Sequence, residues 1–512
     1  MDPFPEITAE RVMFREQLAA AGFSDDGTIL YGSVRWHDAT GQELITWITV
    51  EPGEAFPYGP PTVMLDPRRT RQTDPVPTFH IDTNGALCLF DRHVPVDGAC
   101  WRSVPDLLTW LGGWLRQSAD GWPGDTDTDL ERYLDSNGRF VVYDGDELAG
   151  KAGILVLTGS SVVTRLRYQQ STPVKRRKSN SARRREVRAS KPCGFLLDVG
   201  ELSAPLRSWA DVLNAGGPPA ANAQRLIRLG QLSVLLVRYL RGGREGILAL
   251  ACHSRSGVPG GIEIRGCEAS DESLDARELR AGTGSGLLSR YRVAVIGCGA
   301  IGSFIADLLF RAGVRRLTLE DPQILRHGNV VRHLAGDRYI GYLKVDAVRA
   351  RLAELGLPVD LVETSTEAVA TPRQASDLLS EHALVIDATG DERATALLLW
   401  AAADNGGKLI SVCLQRSGGI ARVDRFPLAD GEHHLPAVPA LDAGEHLVRE
   451  HGCGDAVSLT PPYSVASAAA LTTRVAVAIL TGDRPGPATQ LEVITVQPDA
   501  PYDHVGLLEQ AA

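Results

Sequence analysis

The sequence predicts an α/β multidomain protein, with an N-terminal α+β domain, an α/β linker domain and a C-terminal Rossmann-like domain. Three observations carry this prediction. At 512 residues the chain is too long for a single hydrophobic core. A strand-like run, Val293-Ala294-Val295-Ile296, enters Gly297-Cys298-Gly299-Ala300-Ile301-Gly302 and then a helical run, the order of a nucleotide-binding βαβ unit. Near the N-terminus, alternating strand-like segments lead into a proline-rich turn and later an amphipathic helix. The predicted domains cover residues 1–138, 139–285 and 286–512.

Composition narrows the function classes. Hydrophobic content of 44% and charged content of 23% are those of a globular chain. A net charge of −10 argues against general nucleic-acid binding. No charge-free apolar run reaches the ~20 residues of a membrane span. Met1-Asp2-Pro3-Phe4-Pro5-Glu6 lacks the basic start and apolar core of a signal peptide. Eight cysteines without paired spacing fit a reducing compartment, so a cytoplasmic location is expected. No Cys-x-x-Cys pair is present to build a structural zinc site.

In the C-terminal region Gly297 allows the tight turn, Gly299 lets backbone approach a phosphate, and Gly302 lets the following helix, Phe304 to Arg311, pack closely. The helix N-terminus offers free N–H groups to an anion. A second strand, Leu317-Thr318-Leu319, closes on Glu320-Asp321. Asp321 lies 19 residues after Gly302, where an acidic side chain can hold a ribose hydroxyl. The loop alone also fits an NAD-type unit. Asn329, Arg332 and Lys344 argue against that reading. Hydride transfer needs no clustered cations, whereas cleavage between the α and β phosphates does.

This pattern resembles the ThiF-type adenylating domain of ubiquitin-activating enzymes and bacterial sulfur-carrier adenylyltransferases, over roughly residues 286 to 485. The resemblance implies ATP and Mg²⁺ as cofactors. It assigns Asp321 to the ribose, Asn329, Arg332 and Lys344 to the phosphates, and Asp387, in Leu384-Val385-Ile386-Asp387, to the metal. It also implies a homodimer. One departure is His333, where many relatives carry Gln. Cys298 reads as a small packing residue.

The N-terminal region supplies Ile29-Leu30-Tyr31, Val34-Arg35-Trp36 and Leu44-Ile45-Thr46-Trp47-Ile48, then Phe56-Pro57-Tyr58-Gly59-Pro60-Pro61-Thr62-Val63. Three prolines predict a rigid turn feeding an edge strand. In Phe79-His80-Ile81-Asp82-Thr83-Asn84-Gly85-Ala86-Leu87-Cys88-Leu89, Asn84-Gly85 predicts a tight turn before Cys88. Trp101 and a helix through Leu107, Leu108, Leu111 and Leu115 follow. The set resembles the ubiquitin-conjugating enzyme fold over roughly residues 5 to 135. The resemblance implies that Cys88 is a thioester-carrying nucleophile, against the alternative of a buried strand cysteine. The family's His-Pro-Asn is missing, and His80 stands eight residues before Cys88. His80 either donates to a developing oxyanion or is structural. Cys100, beside Trp101, is expected to pack.

An adenylating domain that passes its product on as a thioester needs a thiol of its own. Cys413 lies in an apolar strand-like run. Cys453 lies between glycines beside His451 and is the preferred candidate. Pro461 to Ile479 reads as the late helix that follows. Between the two modules, Lys175 to Lys191 carries a basic run, read as a solvated insertion or a docking element for an acidic partner or nucleic acid. Gly194 to Val199 and Gly246 to Leu250 read as strands, Asn222 to Leu240 as a helix, and Arg280 to Ser289 as a hinge.

Such a fusion resembles bacterial ubiquitin-transfer-like proteins of anti-phage cyclic-oligonucleotide signalling systems. The resemblance implies adenylation of the C-terminal carboxylate of a cyclic-nucleotide synthase. Transfer would then run through Cys453 and Cys88 to an amine of a target protein. A dedicated ubiquitin-like or sulfur-carrier protein is the alternative partner. A sulfur-carrier adenylyltransferase, an NAD-dependent oxidoreductase and a non-catalytic adaptor are the competing classes.

Overall fold

A computed structural model describes residues 4–66, 68–69, 79–90, 98–160, 162–168, 193–440 and 458–508. Cys453 and the basic run at 171–191 lie outside the described residues. The chain forms two compact units, Met1–Ser273 and Leu274–Ala512.

The first unit opens with α1 (Pro5–Ala20) and a four-stranded antiparallel sheet in the order β1 (Ser24–Asp25), β2 (Leu30–His37), β3 (Glu43–Glu51), β4 (Thr62–Leu65). The proline-rich segment does end on an edge strand, β4. Trp101 fastens it by donating its indole N–H to Pro57 O at 3.0 Å. Helix α2 (Val104–Ala119) turns Leu107, Leu111 and Leu115 onto this sheet, each fully buried, whereas Leu108 is only partly covered.

The linker region is a closed seven-stranded barrel carrying one long helix. Its strands are β5 (Ser136–Tyr143), β6 (Gly153–Gly159), β7 (Val163–Tyr168), β8 (Cys193–Glu201), β9 (Leu232–Arg241), β10 (Arg244–Ser254) and β11 (Ile262–Asp271), with a single turn, α3 (Gly145–Leu148), after β5. They pair in the order β10-β11-β5-β7-β6-β8-β9. Helix α4 (Trp209–Arg228) packs on the barrel through Trp209, Val212, Ala220, Ala223 and Ile227. The helix expected over Asn222–Leu240 is therefore corrected. Leu226, Leu229, Leu232, Leu235 and Leu236 imitate a helical period. Gly230, however, adopts φ +67° and ends α4. The chain then continues as β9, buried along most of both faces.

The second unit begins with two short helices, α5 (Leu274–Glu278) and α6 (Ser285–Leu288). The hinge expected over Arg280–Ser289 is thus partly helical, and Leu288 is buried in the core that follows. Next come β12 (Arg292–Ile296), α7 (Ala300–Ala312), β13 (Arg316–Glu320), α8 (Lys344–Ala353), β14 (Val362–Ser365), α9 (Pro372–Glu381), β15 (Leu384–Asp387), α10 (Glu392–Asn405), β16 (Leu409–Gln415), β17 (Ile420–Phe426), α11 (Pro462–Thr481), β18 (Thr489–Val493) and β19 (Gly506–Leu508). One eight-stranded sheet orders them β14-β13-β12-β15-β16-β17-β18-β19. The first five strands are parallel and the last three antiparallel. This is a Rossmann-type arrangement. The chain moves outward from β12 to β14 and then returns to the other side as β15, which creates a switch point between β12 and β15. Helix α11 is long and apolar enough to cross a membrane, but it packs against α7, β16 and β17.

Gly230→Ala is expected to destabilise the first unit by about 1 kcal/mol, because an L-residue is strained at this φ. Calorimetry should show a downward shift of about 2 °C in that unit's transition, with the second unit's transition unmoved.

Candidate active sites

The C-terminal ends of three adjacent parallel strands meet at one point in the second unit. Ile296 of β12 pairs with Glu320 of β13 on one side and with Asp387 of β15 on the other. The loop Gly297–Gly302 therefore emerges between Asp321 and Asp387. Gly297 sits at φ +85°, and its N–H donates to Glu320 O at 2.7 Å. A Cβ on Gly302 would lie 1.8 Å from Gly297 O, so only glycine lets α7 start here. At Gly299 a Cβ would meet nothing within 4 Å, so the loop faces open space at that point. Gly299 caps α7 without a side-chain hydrogen bond, leaving the first-turn N–H groups of a 13-residue helix available to an anion.

Asp321 is buried and bridges the loop. Its Oδ2 accepts from Cys298 N at 2.9 Å and its Oδ1 from Gln323 N at 2.8 Å. Lys344 opens α8 and is also buried, with Nζ donating to Gln323 Oε1 at 2.5 Å. Asn329 and Arg332 lie on a 3₁₀ turn, His327–Arg332. The Asn329 side-chain Oδ1 accepts from Arg326 N at 3.0 Å. The Arg332 guanidinium has no hydrogen-bond or ion-pair partner among the described residues. The chain beyond it is tied to the loop: His333 Nε2 meets Cys298 O at 2.9 Å, and Leu334 N donates to Ser303 Oγ at 3.2 Å. Cys298 is fully buried, and burial pushes its thiol well up, as a packing residue requires.

His333 has a defined chemical state. Its Nδ1 accepts from Ala335 N at 3.0 Å, so Nε2 carries the proton and donates to Cys298 O. Burial lowers its pKa, reinforced by the nearby Lys344 charge. A neutral imidazole with one donor and one acceptor matches the hydrogen-bonding ends of a Gln amide, which accounts for His at this position.

Asp387 is buried and bonded only to neutral groups. Thr389 N and Oγ1 donate to Oδ1 at 3.0 and 2.7 Å, and Thr395 Oγ1 and Ser411 Oγ donate to Oδ2. No basic side chain pairs with it among the described residues, so its charge remains for a cation. No group of three or more His, Cys, Asp or Glu converges among the described residues. The fit is to a divalent ion carried chiefly on phosphate oxygens with one protein carboxylate, the usual magnesium arrangement. Cys413, two residues beyond Ser411 on β16, is mostly covered, and burial pushes its thiol to about 11.

In the first unit Cys88 lines an open cleft of about 1050 Å³ with Trp110, Trp114, Trp122, Asp127 and Arg132. Asn84-Gly85 does form the tight turn: Gly85 has φ +87°, and Asp82 N donates to Ala86 O at 2.8 Å. Cys88 N donates to His80 O at 2.7 Å. Two indoles of α2 grip the segment, Trp114 on Cys88 O at 3.0 Å and Trp110 on Leu89 O at 2.7 Å. Burial raises the Cys88 thiol, opposed by the neighbouring Arg132. Cys100 lines the same cleft, and its thiol is also raised by burial.

His80 is committed within this framework. Its backbone sits at φ 60°, its Nε2 meets Asp125 Oδ2 at 2.9 Å, and its ring packs on Trp122 at 4.1 Å. Asp125 also accepts from Arg241 of β9 at 2.6 Å. Burial alone would raise the Asp125 carboxyl, but the Asp127 N–H, His80 and Arg241 together hold it below the usual range. Sequence reading missed Asp125, Arg132 and Arg241. All three lie outside the motif around Cys88, and only the barrel brings Arg241 to the loop.

His333→Ala is expected to cost about 2 kcal/mol, because it strands the buried Cys298 carbonyl and Ala335 N–H. His333→Gln should restore most of that. The folded-state pKa of His333 is depressed, so its unfolded form binds more protons and stability falls as pH drops below about 6.5. His382, also depressed by burial, contributes in the same direction. The expected outcome is therefore a smaller, not absent, acid-induced drop in the second unit's melting temperature for His333→Gln than for the parent, measured from pH 7.5 to 5.5.

Residues 278–427 match the ThiF family. An ATP-dependent ubiquitin transferase-like protein Cap2 of Escherichia coli is 32% identical over 126 residues, 23% of this chain and 20% of its own. A Cap2 of Enterobacter hormaechei is 28% identical over 201 residues, 37% and 33% of the two chains. The adenylyltransferase and sulfurtransferase MOCS3 of Bos taurus is 32% identical over 133 residues, 26% and 29%. The matched stretches thus span a fifth to a third of these relatives' length. A crystal structure of E. coli MccB aligns with 44% of this chain and 65% of its own, at 13% identity and a TM-score of 0.32. The stretch that matches the ThiF family, residues 278–427, thus lies within the C-terminal unit.

Proposed function

We propose that the chain is an ATP-dependent protein-conjugating enzyme. It adenylates the C-terminal carboxylate of a partner protein and relays the acyl group through Cys453 and Cys88 to an amine of a target protein. The observation that carries this is the nucleotide pocket. An open glycine loop at a long helix N-terminus is flanked by two buried carboxylates and a buried Lys344, and Arg332, without a side-chain partner among the described residues, directly precedes the His333 that bonds to the loop. Cations so placed favour departure of pyrophosphate, not hydride transfer.

Each residue has a part. Asp321 orients the ribose while holding the loop through Cys298 N. Arg332, Lys344 and the Asn329 amide face the phosphates and offset charge as the partner's carboxylate attacks the α-phosphorus. Asp387 would hold Mg²⁺, which when bound screens the phosphate oxygens. Cys453 is preferred as first acceptor because the alternative, Cys413, has a thiol raised to about 11 and ionises too little near neutrality. Cys88 then accepts the acyl group at an open cleft. A cyclic-nucleotide synthase of an anti-phage system is the partner we favour, in line with the Cap2 relatives. A ubiquitin-like or sulfur-carrier protein is the second reading, in line with MOCS3. A homodimer built on the ThiF-type domain is part of this reading.

Two measurements test it. Arg332→Ala and Lys344→Ala should each lower ATP–pyrophosphate exchange by about 10²-fold or more while leaving the fold intact. Exchange unaffected by either change would remove the adenylation reading. In the second, the chain is incubated with ATP, Mg²⁺ and candidate partners and resolved with and without reductant. A reductant-sensitive adduct should need Cys453 and should accumulate there in Cys88→Ala. Pyrophosphate exchange without an adduct on either cysteine would exclude the relay and favour a sulfur-carrier function.

A further inference from the structure

We propose that Arg132, not His80, is the residue that stabilises negative charge on the Cys88 sulfur during acyl transfer. The inference rests on the conjugation reading above for its use, but the charge pairing itself is a property of the unmodified chain.

His80 is the sequence-based candidate for this work, and its geometry withdraws it. The ring is held by Asp125 through Nε2 and pressed against Trp122. Asp125 is in turn fixed by Arg241, so turning His80 toward the thiol would break its hydrogen bond to an anchored carboxylate. His80 serves through its backbone instead. Its carbonyl accepts from Cys88 N, and its N–H donates to the Tyr133 hydroxyl at 2.7 Å.

That second bond matters because Tyr133 is the neighbour of Arg132. Both belong to the 3₁₀ turn Glu131–Tyr133, which is anchored in the barrel core by Leu130 and Tyr133. The turn and the cysteine segment are therefore tied to one residue, His80, from its two backbone sides. Arg132 lines the Cys88 cleft. Its guanidinium is braced from below by Asp82 at 3.3 Å and Asp127 at 3.5 Å, and its side chain is 23% exposed. A guanidinium so braced keeps its orientation and has donors to spare for a third anionic group. Burial raises the thiol of Cys88, Arg132 opposes this both as a charge and as a donor, and Asp82 adds to the rise.

The chemistry uses the same contact twice. Cys88 gives its proton to solvent, and the thiolate, stabilised by Arg132, attacks the incoming thioester carbonyl. The new C–S bond forms as the old one breaks. The departing sulfur keeps the electron pair and takes up a proton from solvent. In the second step a neutral amine forms the C–N bond, and the C–S bond to Cys88 breaks with its electrons returning to that sulfur beside Arg132. The proton lost by the amine goes through solvent to the thiolate.

The test is the rate of Cys88 alkylation by iodoacetamide in the full chain, located by peptide mass, from pH 6 to 10. Arg132→Ala should slow alkylation at pH 7.5 by about fivefold and move its pH midpoint upward. Arg132→Lys should lie between that variant and the parent. Asp82→Asn should accelerate alkylation by about twofold, because it removes an opposing negative charge while the amide oxygen still accepts from Arg132 and Asp127 remains as the second brace. Effects of opposite sign cannot both come from loosening of the cleft. Alkylation of Arg132→Ala at the parent rate, or both variants shifting in the same direction, would overturn the proposal. Opposite shifts with no ATP-dependent adduct on Cys88 in the parent would establish the Arg132–Cys88 pairing and overturn the transfer reading instead.

Discussion

The candidate nucleotide site depends on one constraint, the parallel register that sets Ile296 beside Glu320 and Asp387. Asp321 and Asp387 sit at the ends of these strands, whereas Asn329 and Arg332 come from the 3₁₀ turn and Lys344 from the start of α8. A slip of one residue in β15 would turn Asp387 to the opposite face of the sheet. Burial on both faces prevents the slip. Val293 and Val295 pack with α7 and α11, whereas Ala294 and Ile296 pack with α9 and α10. The register then fixes the loop from both flanks, since Gly297 N donates to Glu320 O and Ala388 N donates to Ile296 O. With Gly302 against Gly297 O, α7 has one place to begin.

The Cys88 cleft is held in a different way. No parallel strand ends there, and Cys88 itself lies in no regular element. Hydrogen bonds from α2 and from the barrel supply the rigidity that strands supply in the other unit. Trp110 and Trp114 grip the carbonyls of residues 88 and 89. Arg241 holds Asp125, and Tyr239 donates to Thr128 O at 2.5 Å. The barrel thus acts as a support for the loop that faces the cysteine. It explains why a region with no catalytic motif of its own is built into the same compact unit.

The two sites differ in how much the sequence disclosed. The glycine loop and the position of Asp321 were legible because a βαβ unit sets them at fixed offsets along the chain, whereas Asn329, Arg332, Lys344 and Asp387 were expected from the resemblance to ThiF-type domains. Their convergence then follows from the topology. The Asn84-Gly85 turn and the α2 stripe were legible for the same local reason. Arg132, Asp125 and Arg241 were not, since they are brought to Cys88 by contacts across 44, 37 and 153 residues. Periodicity also misled between Leu226 and Leu236. A leucine spacing that fits 3.6 residues per turn also fills a strand buried on both faces, and Gly230 was the one sign that separated the two.

The thiols show how environment separates residues of one chemical type. Cys298 and Cys252 are fully buried, and burial raises both far beyond any use as nucleophiles. Cys413 is covered enough to reach about 11, since the nearby Arg422 charge does not offset its burial. Cys88 is raised too, but it is the only one of these four on the open cleft, and an arginine braced by two carboxylates opposes the rise. Nucleophilic use needs a route to solvent and a cation beside the sulfur at the same time. Burial decides the first requirement, and the 3₁₀ turn that carries Arg132 decides the second. Since that turn is anchored by Leu130 and Tyr133 in the barrel core, the reactivity of a cysteine in the N-terminal sheet region is set by the packing of the barrel.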